Sequence, residues 1–154
     1  MKVVIAVVGK PRDRHLAAAI SAYEERARHY FALEIAEVRE VNARGLSAAQ
    51  VREQEGTRLL ERVPAAAALY ALDERGSRLA SPEFAALIGS ARDGARDIAF
   101  AVGGAFGLSD AVRSRAVRSL QLAPFTLPHE LARLVLSEQV YRAGTILKGE
   151  PYHK

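Results

Sequence analysis

The sequence has no cysteine among its 154 residues, which excludes a disulfide framework and any thiolate metal site. Long uncharged stretches are missing as well. The longest run free of Asp, Glu, Lys and Arg is Ile98–Ser109, 12 residues, against the ~20 that cross a bilayer. Met1–Gly9 places one lysine ahead of a short apolar run closed by Gly9-Lys10, too short and wrongly flanked for a signal peptide. A cytoplasmic protein with no membrane contact is expected. No linker, internal repeat or low-complexity segment divides the chain, so residues 1–154 are read as a single domain. Three ligand signatures are absent too. Gly9-Lys10 is followed by Pro11 and preceded by no glycine, so it is no Walker loop. No Gly-x-Gly-x-x-Gly follows the first apolar run. No two of the 4 histidines have a spacing such as His-x-x-x-His, and no metal is expected.

What is present is ordinary globular material, 49% hydrophobic and 26% charged, enough for a real core. The charge is uneven. The net of +4 lies wholly in residues 111–154, where Arg113, Arg115, Arg118, Arg133, Arg142, Lys148 and Lys154 face only Glu130, Glu138 and Glu150. A basic end on a neutral body points to a polyanionic partner, or to arginines that simply face water.

The hydrophobic period alternates along the chain. Val3–Val8 is a continuous apolar run, as in a buried parallel strand. Pro11 to Phe31 carries apolar residues at helical spacing. Leu33–Val41 alternates apolar and charged residues, the pattern of a strand with one wet face. Ser47-Ala-Ala-Gln50 fits a capping box ahead of a helix from Val51 to Arg62. Ala65–Leu72 is a third strand. Ser81-Pro82-Glu83 opens a helix with Ser81 as cap. Ile98–Val102 is a fourth strand, Ser109 or Asp110 starts a short helix, Ser119–Ala123 is a fifth strand, and His129–Leu147 is a final helix. Strands alternating with helices imply an α/β fold, a mostly parallel sheet with helices on both faces. Sites in such sheets lie at the carboxyl ends of strands.

Four loops come under scrutiny on that ground. Gly9-Lys10 is disposed of above. Gly103-Gly104-Ala105-Phe106-Gly107 has three glycines in five residues, which lets a ligand approach bare backbone; a tight turn would need only one. In Ala123-Pro124-Phe125-Thr126-Leu127-Pro128 the prolines hold an extended path, whose unpaired backbone groups can read the edge of a flat ring such as adenine, with Phe125 and Leu127 as apolar walls. A plain strand-to-helix connection is the alternative. Leu72-Asp73-Glu74-Arg75-Gly76 is either a solvated turn or a holder of ribose hydroxyls or a cation. On the last helix Glu138 and Arg142 stand at i,i+4, either an exposed ion pair worth about 0.3–0.5 kcal/mol or the positioned arginine of an anion site. His129 opens that helix and His153 lies in the tail.

In order and spacing these pieces resemble one family along the whole chain. The motifs are Val7-Val8-Gly9-Lys10, Leu72-Asp73-Glu74-Arg75-Gly76, Ser81-Pro82-Glu83-Phe84-Ala85, Gly103-Gly104-Ala105-Phe106-Gly107-Leu108 and Thr126-Leu127-Pro128-His129. Glu138-Gln139-Val140-Tyr141-Arg142-Ala143 and Lys148-Gly149-Glu150-Pro151-Tyr152-His153-Lys154 complete the set. The sequence is similar to the SPOUT-class large-subunit ribosomal RNA methyltransferases that methylate N3 of a pseudouridine in 23S rRNA. It departs at Ser77, where the family often has lysine; Arg78 can supply that charge.

The resemblance implies a deep trefoil knot, with the knot and cofactor loops within about residues 72–147. It also implies a homodimer with a shared site, and S-adenosylmethionine bound bent in the knot loops. Motif matching puts the cofactor contacts on Leu72, Gly103, Gly104, Ala123, Pro124, Phe125, Thr126, Leu127 and Pro128. Arg142 and His129 become the candidates for obtaining a deprotonated N3. Tyr152 and His153, in a tail of residues 148–154, become candidates for closing over a flipped base. The substrate implied is the assembled ribosome, gripped by the basic C-terminal third. Two other classes compete: a ribosome-binding factor without chemistry, and a flavodoxin-like nucleotide or flavin binder.

Overall fold

A computed structural model describes Met1–Lys154. Five strands form one sheet: β1 (Lys2–Val8), β2 (Ala32–Val38), β3 (Ala68–Arg78), β4 (Ile98–Val102) and β5 (Arg118–Gln121). Their order is β2-β1-β4-β3-β5 and every pairing is parallel, so the α/β expectation holds. The helices are α1 (Arg14–Arg28), α2 (Ala48–Arg62), α3 (Ser81–Asp93), α4 (Asp110–Arg115) and α5 (His129–Lys148). None is long and apolar enough to cross a membrane.

The central strands are apolar on both faces because helices cover both. Val3, Ile5, Val7, Ile98 and Phe100 pack with Ala27 of α1, Ile88 of α3 and Leu136, Val140 and Ala143 of α5. On the other face Val4, Ala6, Val8, Ala99 and Ala101 pack with Leu59 of α2 and Val112 of α4. Alternate residues of one strand thus feed two cores.

Local signals set most element starts. The Asp13 carboxylate accepts from the N–H groups of His15 and Leu16, so α1 begins at Arg14 rather than Pro11. The Ser47/Gln50 capping box is formed. α3 begins differently from expectation: Ala80 is the N-cap, and Glu83 accepts its N–H at 2.6 Å. Ser81 is released to donate to Gln139 of α5 at 2.8 Å.

The larger correction concerns β3. It does not end at Leu72 but runs on to Arg78, pairing with β5 on both sides of an irregularity between Leu72 and Ser77. Long-range pairing supplies the ladder that local composition does not announce. Ala65–Ala67, read as strand, precedes it.

α5 lies between α1 and α3 and is locked by buried charge. Arg133, 6% exposed, donates to Glu24 of α1 at 2.9 Å and to Glu37 of β2 at 2.8 Å. Burial opposes its charge, and the two carboxylates more than compensate, raising its pKa. Further along, Gly144 faces Tyr30; a Cβ there would lie 2.6 Å from the tyrosine Cβ. Alanine favours a helix over glycine by about 1 kcal/mol, but overpacking costs about 1–3 kcal/mol. Gly144→Ala is therefore expected to lower the melting temperature by several degrees, read by thermal denaturation.

Candidate active site

The irregular middle of β3 and the carboxyl ends of β4 and β5 open into one cleft of about 690 Å³, within the usual size for a small-molecule site. Leu72, Gly103, Gly104, Ala123, Phe125, Thr126, Leu127 and Pro128 all line it, and so does His129. Three loops distant in sequence meet here. Pro124, also expected to contact the cofactor, is exposed and is not among the lining residues.

The floor is bare backbone by necessity. A Cβ on Gly103 would lie 2.6 Å from the Gly107 carbonyl carbon, and one on Gly104 would lie 2.8 Å from Glu55 Oε2. One wall is the loop from Ala123 to Leu127, none of whose peptide groups joins a backbone hydrogen bond. Those donors and acceptors remain for a ligand. The loop is held by side chains instead. Thr126 Oγ1 donates to Glu74 at 3.1 Å, and Gln121 Nε2 donates to the Glu74 carbonyl at 2.6 Å. Phe125 is 80% exposed, an apolar surface with no cover in the monomer. Unpaired backbone edges, a glycine floor and apolar walls fit a purine-bearing cofactor.

Asp73 anchors the cleft's rear. Its carboxylate accepts from Arg113 Nε at 2.7 Å and from the Arg75 N–H at 2.9 Å. Burial alone would raise its pKa, but the Arg75 N–H and the Arg113 guanidinium outweigh that and hold it below the usual carboxylate value. The ionised form is thus the one that stabilises the fold. Its contribution is present above the unfolded value of about 3.9 and is lost as pH falls through the lower folded value. The urea midpoints of wild type and Asp73→Asn should differ at neutral pH and converge in acid.

Arg142, Tyr152 and His153 assemble elsewhere. Glu138 Oε1 accepts from Arg142 at 2.6 and 3.0 Å and from the Tyr152 hydroxyl at 3.0 Å. The guanidinium carbon lies 4.6 Å from the Tyr152 ring centroid, and Arg142 Nη1 is 3.4 Å from His153 Nδ1. The hydrogen bonds that Arg142 donates to Glu138 raise the Arg142 pKa despite some desolvation, so Arg142 is a permanent cation. Burial, then Tyr23 and Glu138, push the Tyr152 phenol well above its normal range. It stays protonated and acts as donor, not base. The tail is tied back a second time by the Tyr30 hydroxyl, which donates to Glu150. That bond pushes the Tyr30 pKa up to about 12.

The two groups occupy opposite ends of α5. Arg142 lies 13 positions after His129, about 20 Å of helix at 1.5 Å per residue. A single chain therefore does not bring His129 and the cofactor loops to Arg142, Tyr152 and His153.

The basic C-terminal third is also less of a surface than its composition suggests. Arg113, Arg133 and Arg142 are committed to carboxylates, and Arg115 donates to the Ala65 and Ala67 carbonyls. Arg118, Lys148 and Lys154 remain outside these contacts. Sequence reasoning missed Glu55 altogether. The signal was an acid at the middle of the stripe Val51, Glu55, Leu59, whose neighbours at four-residue spacing are buried.

The profile of the family described as "Predicted SPOUT methyltransferase" matches residues 1–153. A protein of Gemmatimonas aurantiaca named ribosomal RNA large subunit methyltransferase H is 53% identical over 154 residues, covering 100% of both chains. Proteins of the same name from Geobacter metallireducens and Geobacter sulfurreducens are 48% and 45% identical, with 99% of each chain covered.

Proposed function

Because the chain belongs to the SPOUT methyltransferase family, we propose that it is an S-adenosylmethionine-dependent methyltransferase of large-subunit ribosomal RNA, acting at N3 of a pseudouridine in 23S rRNA of the assembled ribosome. The observation that carries this reading is the cleft itself. The irregular middle of β3 and the loops after β4 and β5 converge on a glycine floor beside an extended wall with unpaired backbone groups.

S-adenosylmethionine supplies a methyl carbon made electrophilic by its sulfonium. The chain's own residues do the rest. Gly103 and Gly104 admit close approach, and Phe125 and Leu127 wall the cleft. Peptide groups of Ala123–Leu127 read a ring edge, and Pro124 and Pro128 fix their path. N3 of the target ring reacts as its anion, because the neutral imide is a poor nucleophile. Arg142, a cation held in place by Glu138, stabilises that anion. His129 or His153 accepts the proton. Tyr152 has one face covered by Arg142 and its edge region against Tyr141, 4.7 Å between centroids. That leaves exposed His153 as the freer ring for stacking on a flipped base.

A two-fold homodimer closes the gap along α5. If two α5 helices lie antiparallel across the axis, the His129 end of each meets the Arg142 end of the other. Half-buried Leu131, Leu134 and Val135 and the exposed Phe125 offer an apolar seam for this contact. The trefoil knot, the single-domain organisation and the cytoplasmic location belong to the same proposal. Lys148 and Lys154 flank the Arg142 cluster and would meet RNA phosphates.

The test is transfer of labelled methyl from S-adenosylmethionine to undermodified ribosomes, followed by nucleoside analysis. Label in N3-methylpseudouridine supports the reading in full. Label in another nucleoside moves the target. No label and no cofactor binding sinks it in favour of a ribosome-binding factor.

A further inference from the structure

Among acids of the buried core, Glu55 stands apart. It is 4% exposed. Its Oε1 accepts the Val41 N–H at 3.0 Å, while its Oε2 is buried with no hydrogen-bond partner. Glu24, comparably buried, is neutralised by Arg133, and the largely buried Asp73 by Arg113. No cation lies within ion-pair distance of Glu55. A buried carboxyl group with no cation and one oxygen left without a donor is costly, and a chain retains such a cost where something compensates.

The orphaned oxygen points at the cleft floor. A Cβ on Gly104 would sit 2.8 Å from Oε2 and 3.1 Å from Val8 Cγ1, and Gly104 lines the cleft. One glycine thickness separates this unpaired carboxyl oxygen from the ligand space. Without a side chain at Gly104, nothing but backbone screens it.

We infer that Glu55 sets the charge preference of the cleft, favouring a ligand with a cationic centre over its neutral counterpart. This rests on the cofactor being S-adenosylmethionine. The donor carries a sulfonium, and the spent product, S-adenosylhomocysteine, is a neutral thioether. Glu55 therefore attracts the charged donor and ceases to hold the product once the methyl has left. It touches no reacting atom and acts as a positioning residue through its field. At an effective dielectric near 20, a unit charge ~10 Å away alters the affinity for a monocation on the order of tenfold.

Calorimetric titration of Glu55→Gln with three ligands reads this directly. S-adenosylmethionine and sinefungin, whose ammonium replaces the sulfonium, are cationic at that centre; S-adenosylhomocysteine is not. The amino-acid ends are the same in all three and cancel in the ratio. Both cationic ligands should weaken about tenfold relative to S-adenosylhomocysteine. Equal weakening of all three, as loss of packing would give, overturns the inference, as does an unchanged ratio. Glu55→Asp keeps the charge while disturbing the Val41 contact, so it should melt lower yet retain the wild-type ratio; this variant decides the matter alone if the glutamine variant does not fold. A ratio in Glu55→Asp that falls on its own overturns the inference too. If wild type binds none of the ligands, the cofactor reading fails first and carries this one with it.

Discussion

Arg142→Ala is expected to reduce kcat/KM for methyl transfer by about 10²–10⁴-fold while leaving the Kd for S-adenosylmethionine within about threefold of wild type. The separation of effects follows from position. Arg142 stands some 20 Å along α5 from the cofactor loops of its own chain, so truncation removes nothing that lines their floor or walls. What it removes is a permanent cation, held by two hydrogen bonds to Glu138 and laid over Tyr152. Arg142→Lys should rescue little, because an ammonium cannot keep the two-pronged contact and the ring contact together. His153→Ala should act in the same direction. Wild-type turnover in both variants would remove this cluster from the mechanism.

Mixing two inactive variants is expected to restore activity. Leu127→Arg fills the cleft wall with bulk and positive charge, and Arg142→Ala leaves the cleft intact but lacks the distal cation. Each homodimer should be inert. After subunit exchange, half the dimers carry one damaged and one intact copy of each part, and one of their two composite sites is whole. About a quarter of wild-type activity should return. A mixture that stays inert while exchange is verified by mass would mean that each chain completes its own site. The distance along α5 would then require another explanation.

The sheet was legible because its signal is local. VVIAVV and IAFAV are buried on both sides and read as such without any tertiary knowledge, and Ser47-x-x-Gln50 caps the helix it announces. Reading failed where distant chain decides. Asp73–Arg78 has no strand pattern, yet it is strand because β5 lies beside it. Ser81 was a better cap than Ala80 by residue type, but its hydroxyl is claimed by Gln139 58 positions away. The basic C-terminal third looked like one face because composition does not record partners. Arg133 is in fact interior, and Arg113 lines the cleft paired with Asp73. The loops after β4 and β5, singled out for their glycines and prolines, do line one cleft. That the cleft and the Arg142 cluster lie at opposite ends of one helix follows from element lengths, and no motif states it. For Glu55 the stripe Val51, Glu55, Leu59 signals burial, but the missing partner that sets it apart is written only in the structure.

The locking of α5 by Glu24 and Glu37 also fixes an order in time. Arg133 reaches a residue 109 positions earlier in the chain, and the final helix fills the space between α1 and α3. Contacts of such sequence separation form late and slowly, since the intervening chain must be closed before they are rewarded. The cleft borrows its last wall from the segment leading into that helix. Until α5 docks, one face of the sheet lies open and the cleft lacks that wall. Docking of α5 thus completes the cleft, and only pairing with a second chain would complete the composite site.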